Sequence, residues 1–227
     1  MADRFITKIQ IPAKHDLVLP TDSDPSPSTN PPIINDALKL RLEVFVGGQH
    51  TDPADEIDDD DPQSWHWVTY DNEDPLNPVP VTTIRLIPPP QVSYQSLLDS
   101  ERECKAEWPR YDMFNEPSIR LGRLACLEGY RRHGLGSSII QLALKWAREH
   151  PAEMTEALLQ NLQEVGGNIH MVHGDKWSGL VLAHAQAHRE AMYARLGFVT
   201  YAQLGVVEGF DYVGMSMRLD VKRETHL

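Results

Sequence analysis

The sequence predicts a mixed α/β fold in which β-rich and helical segments alternate along the chain. Short runs with period-two alternation occur near both ends, and amphipathic segments of helical spacing lie between them. Apolar residues make up 41% of the 227 residues, which is enough for a packed core. We expect one elaborated domain over residues 1–227, with long loops at 20–34, 88–118 and 150–178.

The first half of the chain contains three predicted strands and one helix. Residues 4–11 alternate as a strand does. Residues 37–45 have helical spacing, and Asn35 is placed to cap that helix. The β-rich runs at 64–70 and 79–87 flank the turn-rich sequence DNEDPLNP, which predicts an antiparallel hairpin.

The second half continues the alternation and ends in two strands. The predicted elements are a short helix at 96–105, a buried strand at 119–127, an amphipathic helix at 137–149, a second helix at 153–165, a strand at 180–184, a helix at 186–196, and a final strand pair at 198–204 and 211–219.

Charge and cysteine content narrow the possible functions. The formal net charge of −12 disfavours nucleic acid and anionic membranes as partners and favours cations, including protonated amines. Cys104 and Cys126 are too few for a disulfide framework, which indicates a reducing compartment. The N-terminus has no secretory apolar region, and no apolar run approaches 18 residues. We therefore expect a cytoplasmic protein.

The most informative stretch is LACLEGYRRHGLG at residues 124–136, where a predicted strand runs through a turn into a predicted helix. Glycines in the turn allow a close backbone approach, and the helix N-terminus offers unpaired N–H groups and a partial positive charge. These features favour phosphate binding. Neither the P-loop pattern G-x-x-x-x-G-K-[ST] nor the dinucleotide pattern G-x-G-x-x-G fits this stretch.

Within this stretch, Arg131-x-x-Gly134-x-Gly136 resembles the R/Q-x-x-G-x-G/A pyrophosphate loop of the GNAT superfamily, the acyl-CoA-dependent N-acyltransferases. Downstream, AQAHREAMYARLGF at 185–198 is similar to the element that joins strand 5 to helix 4 in that family. The two stretches occur in the order that the family requires.

A third resemblance lies upstream and concerns one GNAT subgroup. RLEVFVGGQ at 41–49 and EID at 56–58 look like the subgroup's R-x-x-V-F-V-x-E-Q…E-x-D stretch, and GRLA at 122–125 fits its strand 4. Gly48 stands where the subgroup usually has Glu, so chemistry attributed to that acid is absent here.

The resemblance implies a GNAT fold, with a mixed, mostly antiparallel sheet that splays between strands 4 and 5 and carries helices on both faces. It also implies acetyl-CoA as cosubstrate. The histidine pairs 170/173 and 184/188 have possible ligand spacing, but the two cysteines lie far apart and residues 185–186 belong to the acyl-CoA element, so we expect no metal. The residues that the resemblance assigns to acetyl-CoA are Leu124, Ala125, Cys126, Arg131, Arg132, His133, Gly134, Leu135, Gly136, Ser137, Gln186 and Tyr193.

The resemblance also implies catalytic roles. Backbone groups of Leu124 and Cys126 would polarise the thioester carbonyl, and Tyr193 would act as general acid for the departing thiolate unless it is only a packed aromatic. Glu56 and Asp58 are candidates for binding or deprotonating the amine, directly or through water. The alternative is that they belong to a solvated acidic loop. His66 is a further candidate base or, alternatively, a buried structural histidine.

These observations predict an N-acetyltransferase that transfers an acetyl group to a primary amine of a small molecule, expected to be cationic, by direct attack in a ternary complex. Two alternatives stay open at this stage. One is a protein N-terminal or lysine acetyltransferase, and the other is a non-catalytic acyl-CoA-binding sensor. The sequence also leaves a homodimer open.

Overall fold

The computed structural model describes residues 4–91, 116–164 and 176–221. The predicted helix at 96–105 lies outside these residues. The strands are β1 (Phe5–Gln10), β2 (Trp65–Asp71), β3 (Val79–Ile87), β4 (Ser118–Cys126), β5 (Leu180–Gln186), β6 (Val199–Val207) and β7 (Phe210–Arg218), and the α-helices are α1 (Pro32–Arg41), α2 (Leu135–Glu149), α3 (Pro151–Glu164) and α4 (Glu190–Arg195).

The strands form one sheet in the order β1-β2-β3-β4-β5-β7-β6. All neighbours are antiparallel except β4 and β5, which pair in parallel. The predicted hairpin is β2–β3, and the predicted final strand pair is β6–β7, so both are confirmed. Among the described helices, none combines the length and apolar character needed to cross a membrane.

Helices cover both faces of the sheet, as predicted. Because successive residues of a strand face opposite sides, β2 presents Trp65 and Trp67 to the apolar cluster that contains the buried residues of α2. Val68 and Tyr70 face the other side and pack against α1. The mixed, mostly antiparallel α/β architecture expected from the sequence is therefore confirmed.

The start of α1 differs from the sequence prediction. The helix begins at Pro32 with Pro31 as N-cap, so the assignment of Asn35 as the capping residue is wrong. Asn35 is instead buried inside the helix, where its Oδ1 accepts a hydrogen bond from Asn30 Nδ2 at 2.8 Å. A proline fits the first turn because that turn's N–H groups have no helical partner. A π-helical turn, Leu42–Gly47, follows α1 directly.

The helix predicted at 186–196 is shorter in the structure. Gln186 ends β5, a 3₁₀ turn covers Ala187–Arg189, and the α-helix covers only Glu190–Arg195. The strand extends because residues up to Gln186 continue their ladder with β7. Gln186 therefore lies at a strand end beside β7.

An ionic layer lies between α1 and the centre of the sheet. We use this name for four guanidinium groups and four carboxylates, those of Arg41, Arg85, Arg120 and Arg123 and those of Glu56, Asp58, Asp60 and Asp61. The acids all come from the loop between the π-helical turn and β2. The arginines come from α1, β3 and β4.

The contacts within the ionic layer are short. Arg41 donates to Glu56 at 3.1 Å and makes a two-pronged contact with Asp61 at 2.7 and 3.1 Å. Arg85 makes a second fork, to Asp58, at 2.6 and 2.9 Å. Such bidentate, charge-assisted pairs compensate for the loss of hydration, which an isolated buried charge could not do.

His66 borders the ionic layer and is itself buried. Its Nε2 lies 3.1 Å from the carbonyl oxygen of Asp61. Burial lowers the pKa of His66 to about 4, although the Asp61 carboxylate opposes this shift. On β5, burial and the nearby Arg120 lower the pKa of His184 to about 3. Both imidazoles are therefore neutral in the folded protein near neutral pH.

We expect the free energy of unfolding to fall as the pH is lowered from about 6.5 to about 4. In this window the unfolded chain protonates His66 and His184, whereas the folded chain keeps both neutral. Lower pH therefore favours the unfolded state, with a maximum slope of about 1.4 kcal/mol per pH unit for each histidine. Urea unfolding followed at several pH values measures this slope.

A matched pair of variants isolates one histidine. His66→Gln keeps a hydrogen-bond donor for the Asp61 carbonyl oxygen but cannot titrate. We therefore expect the slope of its unfolding free energy against pH to be smaller by the contribution of about one proton. His133→Gln makes the same substitution at an exposed position and serves as the control for the substitution itself. Equal slopes in the wild type and His66→Gln would contradict the prediction.

Candidate active site

The sheet opens between β4 and β5. These strands pair only from Ser118 with Leu180 to Leu121 with Ala183, although β4 continues to Cys126 and β5 to Gln186. Beyond Leu121, β4 still pairs with β3, and beyond Ala183, β5 still pairs with β7. The two strands therefore diverge and leave a wedge-shaped gap, which is the splay that the sequence resemblance implied.

The backbone of β4 directs N–H groups toward this gap. Leu127 N–H donates to Val81 of β3 at 3.0 Å. Since N–H groups alternate in direction along a strand, those of Cys126 and Leu124 point away from β3. They face the side on which β5 has separated, where a ligand oxygen could accept from them.

A β-bulge in β4 marks the start of the gap. Thr83 of β3 pairs with Ala125, whereas Arg85 pairs with Gly122, so Arg123 and Leu124 together stand opposite Ile84. Arg123 has a φ of 53°, in the left-handed region that residues with a Cβ rarely adopt. The bulge therefore changes the direction of the chain one residue before Leu124.

The turn that follows β4 leads into the N-terminus of α2. Gly134 is the N-cap residue, with a φ of 78° and no atom within 4 Å of a Cβ built on it. No side chain caps this helix end. Arg131 and Arg132 are exposed beside it, and Arg131 Nε donates to the Cys126 carbonyl oxygen at 3.2 Å.

This geometry suits an anionic group. The first-turn N–H groups of α2 begin at Leu135 and have no helical acceptor, and the positive end of the helix dipole lies at the same place. His133 and the two arginines add exposed side chains of basic type. The predicted phosphate-binding residues 131–137 thus follow the gap-facing end of β4 after only four residues, which contain a 3₁₀ turn.

Tyr193 lies on α4 in the apolar cluster that contains Ala185 of β5, and Leu124 packs against the same cluster. The Tyr193 ring meets the Phe198 ring edge-on, with ring centroids 5.4 Å apart. Burial, with a smaller contribution from Tyr212, raises the pKa of Tyr193 well above its ordinary value. The hydroxyl therefore holds its proton and can donate it.

Cys126 lies beside the gap but has the properties of a structural thiol. It is half-buried, and burial raises its pKa. Its Sγ lies 3.6 Å from the carbonyl oxygen of Leu127. A protonated thiol is a poor nucleophile, so the geometry favours a role for the backbone of Cys126 over a covalent role for its side chain.

A chain of polar side chains crosses the open end of the sheet. Gln186 Nε2 donates to Gln49 Oε1 at 3.0 Å and to the Tyr212 hydroxyl at 3.4 Å. These residues come from the segment after α1, the end of β5 and the start of β7. Since Ala185 faces the apolar cluster, strand alternation turns Gln186 to the opposite face, which carries the ionic layer.

The three candidate bases all lie in or beside the ionic layer. Glu56 is 1% exposed, with Oε2 3.1 Å from Arg41 Nε and Oε1 3.7 Å from an Arg123 nitrogen. Asp58 is 38% exposed. Burial alone would raise the pKa of Asp58, but Arg85 and Arg123 outweigh this effect and hold it far below the ordinary value. His66 lies on β2, with β3 between it and β4.

The ionic layer changes the interpretation of the acidic loop. Its four carboxylates are matched by four guanidinium groups, so the layer has no net charge when His66 is neutral. A cationic ligand would therefore find much less local attraction than the seven acids at 52–61 suggest. Three further acids of this loop, Asp52, Asp55 and Asp59, lie outside the layer, so the expectation of a cationic acceptor now depends on them and on the charge of the whole chain.

Sequence reasoning included Arg41 and Arg123 in motif matches without assigning them a role, and it missed Arg85, Arg120 and Tyr212. Arg85 and Arg120 interrupt apolar strand sequences, VTTIRLI and SIRLG, that are otherwise buried. A charged residue within such a run needs a buried partner, and the acidic loop was the available source. The need of these arginines for buried partners could therefore have linked them to the acidic loop. Nothing in the local sequence singles out Tyr212.

In the part of the chain that the structure describes, no group of three or more His, Cys, Asp or Glu side chains is arranged to hold a metal ion. His170 and His173, whose spacing could suit a ligand pair, lie outside that part.

Comparison with solved structures identifies the same fold in acyl-CoA-dependent enzymes. An acyl-CoA N-acyltransferase from Pseudomonas aeruginosa is 20% identical, with a TM-score of 0.52, and the match covers 93% of this chain and 98% of that chain. NAA60 from Arabidopsis thaliana, solved in complex with acetyl-CoA, is 14% identical, with a TM-score of 0.50 and coverage of 95% and 98%.

A third similar structure has a different reaction. It is the CoA-dependent acyl-homoserine lactone synthase BjaI, 16% identical, with a TM-score of 0.50 and coverage of 85% of this chain and 78% of that chain. At these identities the similarity extends to the fold alone. The Acetyltransferase (GNAT) family model matches residues 34–165, more than half of the 227 residues, and the chain therefore belongs to the GNAT acetyltransferase family.

Proposed function

We propose that this GNAT protein transfers an acetyl group from acetyl-CoA to a primary amine of a small molecule, by direct attack of the amine in a ternary complex. The observation that carries the proposal is the junction of two features. An uncapped helix N-terminus with an exposed glycine follows, after an eight-residue connection, a strand whose N–H groups face a gap in the sheet.

Acetyl-CoA fits this junction by its chemistry. Its diphosphate would accept hydrogen bonds from the N–H groups of Leu135, Gly136 and Ser137. Arg131, Arg132 and His133 would supply side-chain contacts, and Gly134 lets the phosphates approach the backbone. The pantetheine arm would lie along Leu124, Ala125 and Cys126, with Gln186 on the β5 side of the gap.

Two groups would promote the transfer. The N–H groups of Leu124 and Cys126 would hydrogen-bond the thioester oxygen, which gains negative charge as the amine attacks. The Tyr193 hydroxyl would donate its proton to the sulfur as the carbon–sulfur bond breaks. The attacking nitrogen loses one proton to solvent and Tyr193 regains one from solvent, which leaves an acetylated amine, CoA as a thiol and Tyr193 in its starting form.

The attacking amine must be neutral, and its proton must leave the site. Asp58 stays ionised because Arg85 and Arg123 lower its pKa, so it suits the role of a hydrogen-bond acceptor that orients water or an ammonium group. It is a weak base for the same reason. Glu56 would support Asp58 through their shared contact with Arg123. His66 lies on β2, with β3 between it and β4, so we propose no direct role for it.

Thiol release from acetyl-CoA tests the proposal directly. The panel would contain cationic and neutral small primary amines, peptides with free N-termini, and peptides with an internal lysine. We expect turnover with at least one small amine. Turnover restricted to peptides would favour a protein acetyltransferase, and acetyl-CoA binding without turnover on any amine would favour an acyl-CoA sensor.

Gly134 provides a test of diphosphate binding that separates charge from shape. Gly134→Asp places a negative charge beside the phosphates, so we expect acetyl-CoA to bind roughly 10- to 100-fold more weakly. Gly134→Asn has nearly the same shape, tolerates positive φ and carries no charge, so it should bind within a few-fold of the wild type. Titration calorimetry measures both, and equal affinities in the two variants would contradict this placement of the phosphates.

Tyr193→Phe tests the general acid. Phenylalanine fills the same space in the apolar cluster, so the fold should persist. We expect kcat to fall by about 10²- to 10⁴-fold, with a change of only a few-fold in acetyl-CoA affinity. Tyr70→Phe is the control, because it removes another buried hydroxyl, bonded to Asp36, on the opposite face. Wild-type turnover in Tyr193→Phe would make Tyr193 a packing residue.

A further inference from the structure

Arg123 connects the gap in the sheet to the ionic layer. It lies two residues beyond Leu121, where the pairing of β4 with β5 ends, and one residue before Leu124. Its backbone adopts the positive φ of the bulge. No other residue described on β4 combines a bulge conformation with a side chain held by the acidic loop.

The guanidinium of Arg123 makes three contacts with that loop. One terminal nitrogen donates to the Asp55 carbonyl oxygen at 2.6 Å and to Asp58 Oδ2 at 3.2 Å. The other lies 3.7 Å from Glu56 Oε1. Asp58 and Glu56 are in turn held by Arg85 and Arg41. The bulge is thereby fastened to α1 and β3 as well as to its own strand.

We propose that Arg123 is a positioning residue for acetyl transfer. Its guanidinium holds the β4 bulge in the conformation that turns the Leu124 N–H toward the thioester oxygen. This inference rests on the proposed function. The residue acts through the backbone, since its side chain is occupied by the loop and a left-handed conformation is unfavourable for a residue with a Cβ unless other contacts stabilise it.

The decisive variant is Arg123→Gly. Glycine adopts positive φ readily, so the bulge conformation itself is no longer disfavoured. The contacts of the guanidinium with the acidic loop are lost, however, so the backbone can leave this conformation. We expect kcat to fall about 10²- to 10³-fold, the loss typical for one oxyanion donor, while KM for acetyl-CoA changes less than about threefold. Free guanidinium added at millimolar concentration should restore part of kcat.

The matched control is Lys14→Gly. Lys14 also has a positive φ, of 58°, but it lies in the exposed segment after β1 and contacts Gln160. The Lys14→Gly variant should keep wild-type kcat. Arg123→Lys keeps the charge without the fork and serves if Arg123→Gly does not fold; we expect it to lose at least tenfold in kcat. Wild-type kcat in either folded Arg123 variant would overturn the inference.

A spectroscopic readout separates this inference from the proposed function. Isotope-edited infrared spectra of bound [1-¹³C]acetyl-CoA report polarisation of the thioester carbonyl without turnover. We expect the carbonyl frequency to be lower on the wild-type protein than in water and to return toward the water value in Arg123→Gly. A full shift retained by Arg123→Gly would overturn the inference alone. Failure of the wild-type protein to bind acetyl-CoA would overturn the proposed function, and this inference with it.

Discussion

The pairing of four guanidinium groups with four carboxylates between α1 and the sheet constrains the rest of the structure. Removing one partner would leave a buried charge uncompensated, a loss that typically costs about 3–5 kcal/mol. Because the acids belong to one loop and the arginines to α1, β3 and β4, the loop cannot move without breaking several pairs. The helix, the loop and the centre of the sheet therefore form one unit.

That unit lies directly beside the gap between β4 and β5. Arg123 belongs to the ionic layer through its side chain and to the gap through its backbone, so this residue connects the two directly. The opposite face of the gap is apolar and contains Tyr193. The gap thus has an apolar side, where burial raises the pKa of the Tyr193 hydroxyl, and a polar side formed by the ionic layer, from which we propose the acceptor approaches.

Sequence patterns predicted the strands and turns whose formation depends on residues that are neighbours along the chain. Period-two alternation located β2, β3 and the final pair, and the glycine spacing at 134–136 located the turn before α2. The start of α1 was misplaced because the pattern favoured Asn35 as a cap over Pro31 and Pro32, which suit a first turn equally well. The ionic layer was missed because its partners are 15 to 67 residues apart, as in Arg41–Glu56 and Arg123–Glu56. The β4 bulge depends on pairing register, which no local pattern encodes.

The neutrality of the ionic layer changes what selects the acceptor. A surface acidic loop would attract ammonium groups regardless of their shape, whereas a loop already paired with arginines offers fixed dipoles and few free charges. Gln49, Gln186 and Tyr212 form a hydrogen-bonded chain at the same open end of the sheet, on the face of the layer. Such groups discriminate by position and direction, because a partner that leaves a buried donor unpaired loses affinity. If amines bind at this end of the sheet, as we propose, we expect their selection to depend on hydrogen-bond geometry as well as on the acceptor's charge.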